Sequence, residues 1–389
     1  MNPLLPLLPS DEEREIRDAV RAICAKFDDG YARRKHAAGE PPTELWQELS
    51  AAGYIGIRVP EEWGGGGAGV TELAMVVEEV AAATGTLPVM LVVSAAIAGP
   101  LLSAHGSAEQ KERWLRGIAA GTTKMAFALT EPDAGSNSHE LRTELRRDGD
   151  GYRLSGQKVF ISGVEDADAV LVVARMRSQD GSLGKPTLVV VDVDAPGFTR
   201  QPIAMQYIGP EQQWQLFFDD MDVGADRLIG GENGGLRALF DGLNPERIIG
   251  AAMACGLARR AIDRAAAYAR ERAVWGVPIG AHQGIAHPLA AAKISLDLAK
   301  LMTQKAAALQ DAGAAEAGDA ANIAKYAAAE AALQAIDQAI QTHGGNGLTL
   351  EYGVSDLWFL ARLARVAPVS REMILNHVAH HTLGLPRSY

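Results

Sequence analysis

The chain has 389 residues, 48% hydrophobic and 22% charged, with a formal net charge of −11. That length supports two or three domains around a sizeable buried core, and the composition excludes a disordered or fibrous protein. The acidic balance, with no block of Lys and Arg, excludes a nucleic-acid binder, which needs a basic stripe. Any anionic ligand therefore has to be held by local donors and not by the overall field.

The start, MNPLLPLLPSDEERE, has neither the basic n-region of a signal peptide nor the arginine-rich character of a transit peptide. The apolar run LPVMLVVSAAIAGPLL (87–102) is shorter than the ~20 residues of a membrane span and is broken by Ser, Gly and Pro, so it reads as a buried helix. Cys24 and Cys255 have no Cys/His neighbourhood and read as buried thiols of a reducing compartment. A cytoplasmic protein without a membrane part is expected.

Residues 1–122 read as helical. Ser10 with Glu13 forms a capping box for a helix running to about Asp28. TELWQELSAAG has Thr43 as N-cap and Gly53 as stop, and VTELAMVVEEVAAATG and SAEQKERWLRGIAAG are helical in period and end on glycine. Over 123–231 the period falls to two. Short β-branched and aromatic runs such as MAFALT, GYRLSGQKVFIS, DAVLVVARM, PTLVVVDVD and WQLFFDDMDV alternate with turns, and RRDGDGYRL reads as a hairpin tip. Over 232–389 the chain returns to long alanine-rich helices, at roughly 245–273, 284–311, 317–343 and 370–383, as in a four-helix bundle. The fold class is α+β multidomain: a helical domain, a small β-barrel or sandwich, and a helical bundle.

Two motifs have plain readings. EEWGGGGAG (61–69) lacks the Lys-Ser/Thr of a phosphate loop and reads as a turn before a helix. The histidines of HVAHH (His377, His380, His381) have no carboxylate or cysteine at ligand spacing and read as a solvated helix face, so no metal is expected.

Four segments carry more. FALTEPDAGSNS (127–138) is a strand running into a bend that exposes backbone N–H groups and the hydroxyls of Thr130 and Ser136, suited to the polar edge of a planar ring or a pyrophosphate. GYRLSGQKVFISGVEDAD sets Phe160 two residues before Ser162. YARERAVWGVPIGAHQGI holds Arg272, Trp275 and Gln283, and QTHGGNGLTLEY ends a helix on Gly344 and Gly345. In this order and spacing they resemble the acyl-CoA dehydrogenase family of flavoproteins, over about residues 10–385. LTEPDAGSN is close to the family's TEPxAGSD, with Asn137 for the usual Asp; RERAVWG resembles RxxFG and QTHGGNG resembles QxxGGxG.

The resemblance implies FAD as cofactor and α,β-dehydrogenation of an acyl-CoA thioester, with electrons passed to an electron-transferring flavoprotein. Phe127, Leu129, Thr130 and Ser136 would lie against FAD, with Ser136 also bordering the acyl-CoA. Phe160 and Ser162 match a WIT triplet, the aromatic covering one flavin face and the hydroxyl lying near the hydride-accepting nitrogen. Arg272, Trp275, Gln283, Gln341, Gly344 and Gly345 would hold pyrophosphate and adenine across a subunit interface, which implies a homotetramer; Ser370 is counted with the cofactor residues. Alternatives on the same scaffold are a non-catalytic flavin-binding partner subunit, an acyl-CoA oxidase and an enoyl-CoA reductase.

The catalytic base needs its own argument. In many family members it is a glutamate in YEGT, and that position falls here on Pro368, which carries neither a carboxylate nor an N–H. Members of the isovaleryl- and long-chain-specific types place the glutamate on an earlier helix, just before an arginine. The match is GLNPERIIGAA, with Glu246 before Arg247. Asn244 reads as an N-cap and Pro245 as a first-turn residue, which would set Glu246 at a helix N-terminus. Asn244, Arg247, Pro368 and Val369 are the expected substrate neighbours. With Pro368 unable to donate, a flavin ribityl hydroxyl, together with the N–H of Val369 or a water, is expected to polarise the thioester carbonyl.

Overall fold

The computed structural model describes residues 10–387 apart from 87, 207, 208 and 210. Residues 1–9, on which part of the targeting expectation rests, lie outside them. Ser10 caps α1 (Asp11–Cys24): its Oγ accepts the Glu13 N–H at 3.1 Å and its own N–H donates to Glu13 at 2.9 Å. The helix stops at Cys24, short of the expected Asp28. After α2 (Tyr31–Ala38), α3 (Thr43–Ala51) begins on Thr43, which is its first helical residue and not its cap; Pro42 precedes it. Next comes α4 (Val70–Thr84), which ends at Gly85 in the left-handed region. Its N-terminal N–H groups are capped from far along the chain, by the Asp311 carboxylate at 2.6 Å from Val70 N and 2.9 Å from Thr71 N.

The apolar run is a buried helix, as expected, wound as a π-type turn over Leu91–Ala98 and continuing into α5 (Gly99–His105). It docks on the sheet through Ser94, whose Oγ exchanges hydrogen bonds with Met125 O and N at 3.1 and 2.9 Å. No helix among the described residues is long and apolar enough to cross a membrane. The helical layer closes with α6 (Ala108–Ala120), capped by Ser107.

Eight strands follow: β1 (Met125–Ala128), β2 (Glu144–Asp148), β3 (Gly151–Ser162), β4 (Ala169–Arg177), β5 (Leu183–Asp192), β6 (Phe198–Ile203), β7 (Gln213–Val223) and β8 (Leu228–Ile229). They form one sheet in the order β6-β7-β3-β2-β4-β5-β8, with β1 beside β4. The β2–β3 hairpin turns where RRDGDG predicts it. β1 and β2 share one edge of β4, pairing with 169–172 and 175–177 respectively. The chain leaving β1 therefore has to bulge outward before returning as β2, and that bulge is TEPDAGSN.

The C-terminal layer contains α7 (Gly235–Glu271), the small hairpin β9 (Ala273–Val274) and β10 (Val277–Pro278), α8 (Gln283–Asp311), α9 (Ala317–His343), α10 (Asp356–Val366) and α11 (Arg371–His377), the last continuing as a π-type turn to Thr382. WFLARLARVAPVSREMI thus divides into two helices at Ala367–Pro368, a cis peptide bond. α7 and α9 run side by side in the same direction. A Cβ on Gly318 would lie 3.5 Å from the Asn244 side chain, and at the far end Tyr268 stacks on His343 with ring centroids 4.4 Å apart. Buried alanines on both helices, among them Ala254, Ala258, Ala261, Ala324, Ala328 and Ala332, allow this close approach.

One expectation is corrected. Asn244 does not cap a helix and Pro245 is not in a first turn, because α7 begins ten residues earlier, at Gly235, and passes through Pro245. The Asn-Pro pair has the chemistry of a helix start, but the turns before it are helical as well. Glu246 therefore lies in a helix interior and gains nothing from a helix N-terminus.

Candidate active site

The first cluster lies on the sheet. Leu129, Thr130 and Ser136 belong to the bulge after β1, and Phe127 lies within β1. The bulge is tied to β3 by the N–H of Val159, which donates to Thr130 O at 2.9 Å. That bond sets Thr130 beside Phe160 and Ser162. Phe160 is 57% exposed and has φ +57°, a left-handed conformation that a bulky residue adopts only when its surroundings impose it. A strained, exposed aromatic beside hydroxyls and a bent backbone has the chemistry to receive a planar ring. Ser162 and Gln213 are in mutual hydrogen-bond contact at 2.7–3.0 Å, which fixes where the hydroxyl sits.

Beneath this platform lies a pair the sequence reading missed. Lys158 is fully buried, and its Nζ donates to Leu129 O and to Glu131 Oε1, both at 2.8 Å. Glu131 also accepts the N–H groups of Arg142 at 2.7 Å and Thr143 at 2.9 Å. One carboxylate thus holds both ends of the bulge while the lysine clamps its start. Burial presses the Lys158 ammonium down to about 8, against the pull of Glu131. Burial works against Glu131 too, yet the Lys158 charge holds its carboxyl below the usual range. The available signal was a lysine at an inward-facing position of β3, followed two residues later by the strained phenylalanine.

The second cluster lies where the bundle meets α11. Glu246 and Arg247 project from α7, and a Cβ on Gly250, one turn further on, would lie 3.6 Å from Pro368 Cδ. The structure thus brings Pro368 against α7 one turn from Glu246. Part of the Glu246 surface stays accessible, while its carboxyl is surrounded closely enough for burial to push it up to about 7. Arg247 and Lys325 act against that rise. Arg247 donates to Asn244 Oδ1 at 3.1 Å, and burial lowers its own affinity for its proton. Lys325, on α9 and 2% exposed, donates to the Val369 carbonyl. Sequence reasoning did not find Lys325, although a lysine four residues after Ala321 and three before Ala328, both buried, stands out on an alanine face. Ser370 serves as the N-cap of α11, accepting the Met373 N–H at 3.3 Å.

The third cluster lies at the far end of the bundle. Arg272, Trp275 and Gln283 sit where α7 turns through the β9–β10 hairpin into α8, and all three are exposed, Trp275 again with a left-handed φ of +55°. Gln341, Gly344 and Gly345 are exposed at the end of α9, and neither glycine would meet a heavy atom within 4 Å if it carried a Cβ. At ~1.5 Å per residue, Arg272 lies about 39 Å along α7 from Glu246.

These donor sets fit FAD in two parts. The first cluster offers a hydroxyl-lined ring platform, and the third an exposed guanidinium and amides suited to phosphates and adenine. Among the described residues no group of His, Cys, Asp and Glu could hold a metal ion. His377 instead lies 3.4 Å from Asp319.

Comparison with known proteins agrees with the geometry. Family models of the acyl-CoA dehydrogenase N-terminal, middle and C-terminal domains match residues 10–122, 126–221 and 233–383. Acyl-CoA dehydrogenase FadE12 of Mycobacterium tuberculosis is 54% identical over 385 residues, 98% of each chain. A 3-(aryl)acrylate reductase of Clostridium sporogenes is 32% identical over 96% of this chain and 99% of its own. The solved structure of butyryl-CoA dehydrogenase from Megasphaera elsdenii superimposes with a TM-score of 0.91 at 28% identity, covering 97% of this chain and 99% of that one. The chain belongs to the acyl-CoA dehydrogenase family, and with that membership come its flavin, FAD, and its chemistry, the dehydrogenation of acyl-CoA thioesters.

Proposed function

We propose that Glu246 is the catalytic base of this dehydrogenase, working in a homotetramer that passes its electrons to an electron-transferring flavoprotein. The observation that carries the assignment is the approach of Pro368 to α7 at Gly250, one helical turn from Glu246: the acid would stand beside the place where the common base is missing. Bound FAD supplies the acceptor for the β-hydrogen and its electron pair. Glu246 takes the α-hydrogen as a proton, and the electrons of the broken Cα–H bond form the Cα=Cβ bond as the hydride departs. A base raised to about 7 by burial suits this task, because it is ionised enough to accept and basic enough to pull.

Phe160 and Ser162 orient the ring, and the clamp of Lys158 and Glu131 fixes the bulge against which it packs. Where Pro368 has no donor, the N–H of Val369 would help to polarise the thioester carbonyl. The buried helix over 89–98 is apolar and carries small residues, which favours a medium, branched or alicyclic acyl chain. The expected setting is the cytoplasm.

Arg272 lies about 39 Å along α7 from Glu246, which favours a reading in which the ring platform and the phosphate donors of one chain serve different flavins. That geometry supports a shared site. So does the stripe of Ile294, Leu298 and Leu301 on α8, spaced i, i+4, i+7 and each more than half exposed.

Anaerobic mixing of the purified flavoprotein with a panel of acyl-CoA thioesters tests the function. Bleaching of the oxidised flavin band with formation of the 2-enoyl-CoA is expected for at least one thioester, with slow reoxidation by oxygen and fast reoxidation by an electron-transferring flavoprotein. Fast reoxidation by oxygen would instead identify an oxidase, and a flavin that no thioester bleaches would favour the non-catalytic partner subunit.

A further inference from the structure

Lys325 is a charged residue buried deep in the bundle that neither the sequence motifs nor the proposed chemistry uses. It lies on the face of α9 that packs along α7: Gly318, two turns earlier on α9, meets Asn244, and Lys325 falls opposite the stretch holding Glu246, Arg247 and Gly250. Its ammonium donates to the Val369 carbonyl, the residue after the proline that stands where the common base is missing. One side chain therefore touches the turn expected to hold the thioester and places a positive charge beside the proposed base.

The neighbouring charges single out Glu246 as the group this ammonium serves. Lys325 feels Arg247 from α7, Glu330 from its own helix and Glu372 from α11, besides Glu246. Glu330 is already engaged by Arg365, at 2.6 Å through both oxygens, and by Arg371 at 3.3 Å. Glu372 has Arg371 at 3.5 Å. On α11, His377 faces Asp319 and feels Arg247. The charges acting on Glu246 are Arg247, its neighbour in sequence, and Lys325 from across the helix interface.

We propose that Lys325 is a positioning residue for proton abstraction: through its bond to the Val369 carbonyl it holds the 367–369 turn, and from the same place its charge favours the anionic form of Glu246. The proposal rests on the reading of Glu246 as the base. Burial alone would leave a carboxyl protonated and idle at neutral pH, and a fixed cation across the interface is the physical remedy. Burial also brings Lys325 down to about 8, so its charge weakens on the alkaline side and the useful window is bounded at both ends.

The test is the pH dependence of anaerobic flavin bleaching by the best thioester of the panel, measured for the parent, Lys325→Met and Lys325→Arg. In parallel, α-hydrogen exchange of the bound thioester is followed in deuterated buffer, which reads proton abstraction without flavin reduction. Removing the positive charge raises the pKa of Glu246, so the acid limb of both profiles moves to higher pH in the Met variant. A shift of about one unit leaves roughly tenfold less ionised base below the limb. The Arg variant, which keeps the charge, returns the limb toward the parent.

A Met variant with the parent's acid limb, however slow or thermally weakened, overturns the proposal, because a purely structural role would not move the limb. If the Met variant does not fold, Lys325→Gln keeps a donor for the Val369 carbonyl while removing the charge, and it is read in the same way. A Glu246→Gln enzyme that still bleaches would overturn the base and this inference together. An inert Glu246→Gln enzyme alongside an unshifted Lys325 variant overturns the inference alone.

Discussion

At the scale of single residues, the site combines burial with compensation. Glu246 is the clearest case: burial raises its carboxyl from an ordinary 4.5 to about 7. A raised carboxyl pKa means the folded state prefers the protonated form. Its contribution to stability is complete below the unfolded value near 4.5 and is lost as pH rises through 7. Glu246→Gln, which keeps the shape without the charge, is therefore expected to be more stable than the parent at pH 8, by roughly 1–3 kcal/mol, and equal to it near pH 4.5. Thermal melts at the two pH values check this; equal melting temperatures at both would mean the carboxylate is well solvated.

Lys158 and Glu131 carry the opposite risk. Each is buried and hydrogen-bonded to the other and to the bulge backbone, so removing one partner strands a buried charge. Lys158→Met should cost roughly 3–5 kcal/mol and loosen FAD, and adding Glu131→Leu should recover part of the stability but not the flavin affinity. Denaturant melts combined with flavin titration of the apoprotein separate the two effects.

At the scale of elements, periodicity and caps made most helices and strands legible, because Ser10, Ser107, Gly85 and Gly121 place their stop and start signals within a few residues of the observed ends. The TEPDAGSN bulge and the glycine stop after His343 were legible for the same reason. The start of α7 was not. Asn244-Pro245 has the local chemistry of an N-terminus, and only the packing of the preceding turns, where a Cβ on Gly242 would lie 3.1 Å from Ile97 and 3.3 Å from Leu101, shows the helix running on through it. Lys325 and Lys158 were missed for a related reason: each stands at an apolar position of its own element, but the partner that explains it lies on another element. The cap of α4 is also long-range. Asp311, at the end of α8, accepts the Val70 and Thr71 N–H groups and the Thr71 hydroxyl, the last at 2.6 Å. Asp311→Ala should lower stability by about 1–2 kcal/mol through the loss of that cap. A differential scanning comparison reads it, and an unchanged melting temperature would show that water replaces the carboxylate freely.

At the scale of the whole molecule, three layers share one continuous core, and the helix over 89–98 wedges between sheet and bundle. That arrangement sets Glu246 near the start of α7 and leaves Arg272, Trp275 and Gln283 at its far end. The layout was readable from composition shifts and motif order, whereas the relation between the clusters needed the path of α7. The proposed homotetramer would cover the exposed apolar stripe on α8. Leu298→Asp should therefore shift the assembly to smaller species by light scattering and weaken FAD binding at the same time. Loss of assembly with full flavin affinity would show that each chain binds its flavin alone.

The central claim is that proton abstraction has moved from the position of Pro368 to Glu246. Anaerobic stopped-flow mixing of Glu246→Gln with a thioester that bleaches the parent addresses it directly. The account predicts a variant that keeps its full complement of FAD, still binds the thioester, and shows no bleaching on the parent's timescale. Bleaching at the parent's rate would contradict it and return the search for the base to the rest of the cleft.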